Sequence, residues 1–218
     1  MPRIGVVLSG CGVNDGSEIH EAVITMLELD KAGAEMVLMA PNIDQLHVIN
    51  HYTDQEMNEY RNVLMESARI ARGNIRDMAE VSSSDVDALI FPGGFGVAKN
   101  LCDYAMAGAD CSVNPDVLRL TQEVHNDKKP IGVICISPAM MAKILGGETE
   151  LTIGFDEQTA NDINAMGAKH ITCPVEDIII DTQKKVVSTP AYMEAKSIKE
   201  AAAGITKLVA EVLNMVAD

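Results

Sequence analysis

Short apolar, β-branched runs alternate with longer stretches of helical periodicity along the chain. Arg3–Leu8 (RIGVVL) reads as a buried strand. Ser17–Ala32 reads as a helix ended by Gly33, with Ile19, Val23, Met26, Leu27 and Asp30 marking one face and its edge. Glu35–Met39 is a second strand, closed by Pro41. A strand–loop–helix–strand unit of this length implies a right-handed crossover and a parallel sheet. Further on, Leu46–Asn50 reads as a short strand. A helix starts at Thr53 or Asp54 and runs to Ala71, with Gly73 as its stop, and Ala79–Asp85 is a polar, Ser-rich loop. Ala88–Phe91 is a buried strand cut off by Pro92, Gly93 and Gly94. Asn114 and Pro115 suit the cap and first position of a helix to about Asp127. Ile131–Ile134 is a strand and Pro138–Leu145 a helix. Leu151–Ile153, Ile178–Asp181 and Lys185–Ser188 are later strands, the last two placed to form a hairpin, and Ser197 caps a final helix to about Asn214.

The sum is one doubly wound α/β domain over residues 1–218, with decorating segments near 42–85 and 95–113. Ligands of such sheets sit at the carboxyl ends of the strands. Three loops fall there: Ser9–Ser17, Pro92–Gly96 and Cys135–Pro138.

Composition narrows the function. The 218 residues are 47% hydrophobic and 3% aromatic, so the core is aliphatic and rich in Met, of which there are 13. With 17 basic and 32 acidic side chains the net charge is −15, which disfavours nucleic acid and anionic membrane surfaces as partners. No stretch reaches the length of a membrane helix, and the N-terminus lacks the features of a signal peptide. Five Cys is an odd number with no C-x-x-C pair, which argues against a disulfide framework or a structural zinc site. Free thiols in a reducing cytoplasm are the expectation.

Three loops could carry chemistry. At Gly132–Ala139 a buried strand runs straight into a helix with Cys135 at the join, the geometry of a nucleophile elbow. The free N–H groups and positive dipole end of that helix favour thiolate. Cys135 could equally be a small buried apolar residue, as free Cys commonly are. Phe91–Gly96 (FPGGFG) can turn backbone N–H groups toward a ligand or an oxyanion, or can simply be a tight turn; it matches no nucleotide-binding motif. Glu18 and Glu21 share a face at the first helix start, either as acids complementing the dipole or as partners for a sulfur. Cys11 lies on the loop after the first strand and could face the same cleft. His47 and His51 are four apart without a third ligand at metal spacing, so no metal is expected.

At these loops the chain resembles the PfpI-like superfamily of Cys-elbow proteins, which share the fold of the glutamine amidotransferase domain. It is most similar to the branch named for enhancing lycopene biosynthesis (ElbB). The resemblance is carried by Ile4–Val13 (IGVVLSGCGV), Asp15–Ala22 (DGSEIHEA), Phe91–Leu101 (FPGGFGVAKNL), Val133–Met140 (VICISPAM) and Thr189–Met193 (TPAYM), and it covers residues 3 to 213. It implies a three-layer flavodoxin-like sandwich with a mostly parallel central sheet, a homodimer, and Cys135 as nucleophile. It implies Glu21, beside Glu18, as the acid that touches the sulfur, and Gly93, Gly94 and the Ile136 N–H as an oxyanion site. It further implies a cofactor-free glyoxalase (a lyase) of low activity that converts glyoxal to glycolate through a Cys135 hemithioacetal.

Relatives that cleave amides place a His directly after the Cys, or on a later strand. Here those positions read Ile136 and Thr152–Phe155 (TIGF), which argues against peptidase or glutaminase chemistry. His20 and His170 are candidates for a substitute, but spacing places neither beside Cys135. A second reading stands beside the enzyme: a redox or carbonyl-stress sensor working through reversible oxidation of Cys135.

Overall fold

The computed structural model describes residues 1–217. In chain order the elements are β1 (Arg3–Val7), α1 (Ile19–Lys31), β2 (Glu35–Ala40), β3 (Ile49–Asn50), β4 (Gln55–Glu56), α2 (Val63–Ile70), β5 (Arg76–Asp77) and β6 (Ala88–Phe91). Then come a π-helical turn at Val97–Leu101, α3 (Tyr104–Ala107), α4 (Pro115–Asn126), β7 (Ile131–Ile134) and α5 (Ser137–Leu145). The chain closes with β8 (Glu150–Leu151), α6 (Glu157–Ala165), β9 (Lys169–His170), β10 (Ile179–Asp181), β11 (Val186–Thr189) and α7 (Ile198–Ala217).

Seven strands form one sheet in the order β10-β11-β7-β6-β1-β2-β5. Every pairing is parallel except the β10–β11 hairpin. The central strands are apolar on both faces, as a sheet covered on both sides requires. Alternation sends Ile4, Val6 and Leu8 to the face covered by α1 and α7, with Ile90, Ile134 and Val187 beside them. Val7, Leu89, Phe91, Ile131 and Val133 point to the face covered by α4 and α5. The architecture is the expected mostly parallel, three-layer flavodoxin-like sandwich. Parallel strands end at one edge, so the loops after β1, β6, β7 and β11 converge there.

Several local expectations are corrected. The apolar face that the sequence marks on α1 is not the buried one: Ile19, Val23 and Leu27 are each between 42% and 48% exposed. The buried face is Glu21, Ala22, Ile24, Thr25 and Leu29, and its two polar members hide it from a count of apolar positions. The helix expected from Thr53 or Asp54 begins only at Val63, where the Asn62 side chain accepts the Met65 N–H. The stretch before it has no apolar face to bury, with Tyr52 and Tyr60 more than nine-tenths exposed. It forms the small β3–β4 hairpin instead, with Asp54 in the left-handed region. The 79–85 stretch expected as a loop holds two short 3-10 turns. Just before it, β5 adds an edge strand, too short at two residues to leave a periodic signal. The strand expected at Leu151–Ile153 shrinks to β8, which pairs with β9 outside the main sheet. The hairpin near Thr182 and the caps at Asn114 and Ser197 are where the residue types place them.

Gly132 on β7 lets α7 approach the sheet: a Cβ there would lie 2.8 Å from Leu208 Cδ2. Leu208→Ala is therefore expected to cost about 2–5 kcal/mol in unfolding free energy, and Gly132→Ala about 1–3 kcal/mol. The double variant should lose less than the sum by at least ~0.5 kcal/mol, because the new methyl fills part of the cavity. Strict additivity in denaturant titrations contradicts this packing.

Candidate active site

Cys135 follows β7 directly and precedes α5 by one residue. Its φ is +62°, a left-handed backbone that costs a non-glycine residue roughly 1–3 kcal/mol unless the surroundings impose it. They do so here: its N–H donates to the Thr189 carbonyl on β11 at 3.0 Å. The Ser137 hydroxyl donates to the Pro92 carbonyl at 3.1 Å, tying the start of α5 to the turn after β6. The strained elbow turns the side chain toward Gly93. A Cβ on Gly93 would collide with the Cys135 Cβ and lie 2.6 Å from Glu21 Oε2, so only glycine fits between acid and sulfur.

Glu21 is fully buried on α1. Its Oε2 accepts the Gly93 N–H at 2.8 Å and its Oε1 accepts the Tyr192 N–H at 3.1 Å. Its carboxyl and the Cys135 side chain lie on either side of Gly93, close enough for each to shift the other's titration. No cation faces the carboxyl. Burial is the largest cause that pushes its pKa up to about 8, with the Glu18 charge adding and the two backbone donors and the thiol opposing. At neutral pH this carboxyl holds its proton.

Burial also pushes the Cys135 thiol upward, and an ionised Glu21 adds to that, while the N–H groups of Gly94 and Ile136 pull it down. The elbow's donors do favour thiolate, but desolvation outweighs them. A neutral Glu21 removes the charge repulsion and can donate its proton to the sulfur, so the two groups titrate as a pair. Gly93 is not free to serve an oxyanion, because its N–H is taken by Glu21. The donors beside the sulfur are Gly94 and Ile136.

Cys135 and Glu18 line a cavity of about 420 Å³. Glu18 caps α1, its Oε2 accepting the Glu21 N–H at 2.7 Å. Cys11 is not brought to this cavity. It sits beside α2, where burial and the Glu66 charge raise its thiol. His170 is also elsewhere, its Nε2 accepting the Ile153 N–H. His20 is near: its Nδ1 lies 2.8 Å from the Tyr192 hydroxyl and 4.0 Å from Glu18 Oε1. No histidine is hydrogen-bonded to Cys135 among the described residues. His51 bonds the Asn14 N–H, and no group of three His, Cys, Asp or Glu among the described residues is placed to hold a metal. Sequence reasoning gave no role to Tyr192, whose N–H holds the acid and whose ring lines the cavity. The available signal was its place just after a buried strand that reaches the same edge. Tyr104, Asp156 and Thr159, from α3 and the start of α6, also line it, and neither helix was expected.

No protein-family model matches the chain. It is 46% identical over 223 residues to the human "Glutamine amidotransferase-like class 1 domain-containing protein 3, mitochondrial", covering 98% of this chain and 83% of the relative. It is 36% identical over 208 residues to the zebrafish (Danio rerio) "ES1 protein, mitochondrial", covering 88% and 77%. Among solved structures it matches an isoprenoid biosynthesis protein with an amidotransferase-like domain from Ehrlichia chaffeensis, with a TM-score of 0.90 and 37% identity over 97% of this chain and 99% of that one. The cytoplasmic expectation is overturned by these findings, since the human, rat and zebrafish relatives are all named mitochondrial. Free thiols argue against an oxidising compartment and do not choose among reducing ones.

The raised Glu21 pKa makes a stability prediction. The folded protein keeps a proton that the unfolded chain, at the ordinary value of 4.5, gives up. Stability therefore falls as pH rises from about 4.5 to about 8. Between pH 5 and 8 the unfolding free energy of Glu21→Gln should gain on that of the unmodified protein by about 3–4 kcal/mol. Parallel pH curves for the two proteins in denaturant titrations rule out a neutral Glu21.

Proposed function

The chain belongs to the ES1 family of glutamine amidotransferase-like class 1 domain proteins, and from that premise we propose that it is a cofactor-free glyoxalase of low activity, converting glyoxal to glycolate through Cys135 and Glu21. The observation that carries this reading is the fully buried Glu21 carboxyl set beside Cys135 across Gly93 at the edge of a cavity, where burial raises its pKa. In the productive form the sulfur is ionised and Glu21 holds the proton. The sulfur adds to one aldehyde carbon, the carbonyl pair moves to oxygen, and that oxygen takes the Glu21 proton, giving a hemithioacetal. Addition thus leaves Glu21 as a carboxylate beside the C–H bond of the former aldehyde carbon.

Glu21 then removes that proton, and the pair flows through the carbon–carbon bond to the second carbonyl, forming an enediolate. Its hydroxyl proton shifts to the second oxygen, and Glu21 returns the abstracted proton to the second carbon. The product is the Cys135 thioester of glycolic acid. Water adds, the C–S bond breaks with its pair on sulfur, the water's proton restores neutral Glu21, and glycolic acid leaves and ionises. One carbon is oxidised and its neighbour reduced, so no external oxidant or reductant enters. Desolvation keeps most of the thiol protonated, which accords with slow turnover.

The absence of a histidine hydrogen-bonded to Cys135 speaks against amide cleavage, where an amine leaving group needs a proton donor. The redox or carbonyl-stress sensor is the second reading. It calls for an accessible thiol of low pKa, whereas Cys135 is 8% exposed and its thiol is pushed upward.

Glyoxal turnover, followed as glycolate by NMR, should fall at least 100-fold in Cys135→Ser. Its kcat/KM should rise with pH up to about 8, level off there as Glu21 loses its proton, and decline only at the higher pH where the raised Cys135 thiol ionises in full. Negligible turnover in the unmodified protein, with rapid peroxide oxidation of Cys135, would replace the enzyme by the sensor.

A further inference from the structure

The cavity beside Cys135 is larger than a two-carbon dialdehyde requires. At about 420 Å³ it falls in the range of roughly 300–1,000 Å³ that accommodates drug-sized ligands. Val13, Phe95, Ala98, Tyr104, Ile136 and Met193 give it apolar and aromatic walls. Phe95 and Val13 stay 51% and 39% exposed, so apolar surface on this cavity is open to be covered by a ligand. The charged groups on its lining are acids. Glu18 is one; Asp156 is the other, held below its usual range by the Thr159 N–H and hydroxyl. Among the described residues no Lys or Arg lines it. Lys99, 5.4 Å above the Phe95 ring, donates to the Asn14 carbonyl instead and does not reach the lining.

Resting on the reading of Cys135 as an aldehyde-adding nucleophile, we propose that the substrate class is a 2-oxoaldehyde carrying an uncharged apolar or aromatic substituent, whose body fills this cavity while its aldehyde carbon meets the sulfur. Apolar burial supplies the affinity, and the two carboxylates repel phosphorylated or carboxylated analogues. The chemistry is unchanged: sulfur adds to the aldehyde, the C–H proton moves to the neighbouring ketone carbon, and water releases the 2-hydroxy acid. Phenylglyoxal would give mandelate.

Two measurements test this. In turnover, kcat/KM for phenylglyoxal should exceed that for 4-carboxyphenylglyoxal at least tenfold. Ala105→Phe, at an exposed position on the cavity wall, should lower kcat/KM for phenylglyoxal at least five times more than that for glyoxal. In binding, calorimetry on Cys135→Ala excludes covalent capture. Acetophenone should bind at least tenfold more tightly than acetone, benzoate should not bind, and Ala105→Phe in that background should erase the acetophenone preference. Cys135-dependent glyoxal turnover with no preference for the aromatic substrate or ligand overturns this inference and leaves the glyoxalase reading standing. An acetophenone preference without turnover of any oxoaldehyde overturns the glyoxalase reading and leaves an apolar carbonyl site. Equal binding of acetophenone and benzoate overturns the inference whatever the turnover.

Discussion

A carboxyl sealed inside a protein without a counter-cation must either find donors for its charge or keep its proton. Glu21 does part of both. Two backbone N–H groups hold its oxygens, from Gly93 after β6 and from Tyr192 after β11, yet burial still raises it to about 8. The two donors come from loops far apart in sequence, and the acid itself comes from α1. The site therefore exists only when the parallel sheet has brought three strand ends to one edge. Sheet order and proton location are in this sense one constraint.

The same edge explains the backbone oddities. Cys135 occupies the left-handed region because its N–H is engaged by β11 and its side chain must pass Gly93. Gly94, with φ of +99°, lies so close to the backbone of Ser17 and Glu18 that a side chain would strike it. The Glu18 N–H donates to the Gly93 carbonyl at 2.9 Å, locking the start of α1 onto this turn. Strain of about 1–3 kcal/mol at a single residue persists only where neighbours impose it, and here the imposing groups are those that surround the sulfur.

Much of this was legible in the sequence, for physical reasons. Ala88–Phe91 and Ile131–Ile134 are continuous apolar runs, and a breaker or a helix start follows each, so strand, turn and elbow could be placed by residue type alone. Glu18 and Glu21 were visible as acids at a helix start. What could not be read was which backbone groups meet them. The N–H of Gly93 serves the acid where an oxyanion role was expected, and Tyr192 contributes through its main chain, which leaves no compositional trace. Polar residues on the buried face of α1 reversed its apparent orientation. Segments of two to nine residues, such as β5, β9, α3 and α6, are too short for periodicity to announce, yet α3 and α6 build part of the cavity wall. Cys11 was misplaced because a loop at the right edge of the sheet can still turn to the far side, here toward α2.

The central claim is that Glu21 carries a proton at neutral pH and shares it with Cys135. Infrared difference spectroscopy on the unmodified protein against Glu21→Gln, with isotope-labelled glutamate, reads that proton directly. A protonated-carboxyl band assigned to Glu21 should be present at pH 7, shift in Cys135→Ser, and vanish above about pH 8. A Glu21 already ionised at pH 6, with no response to the change at Cys135, contradicts the account.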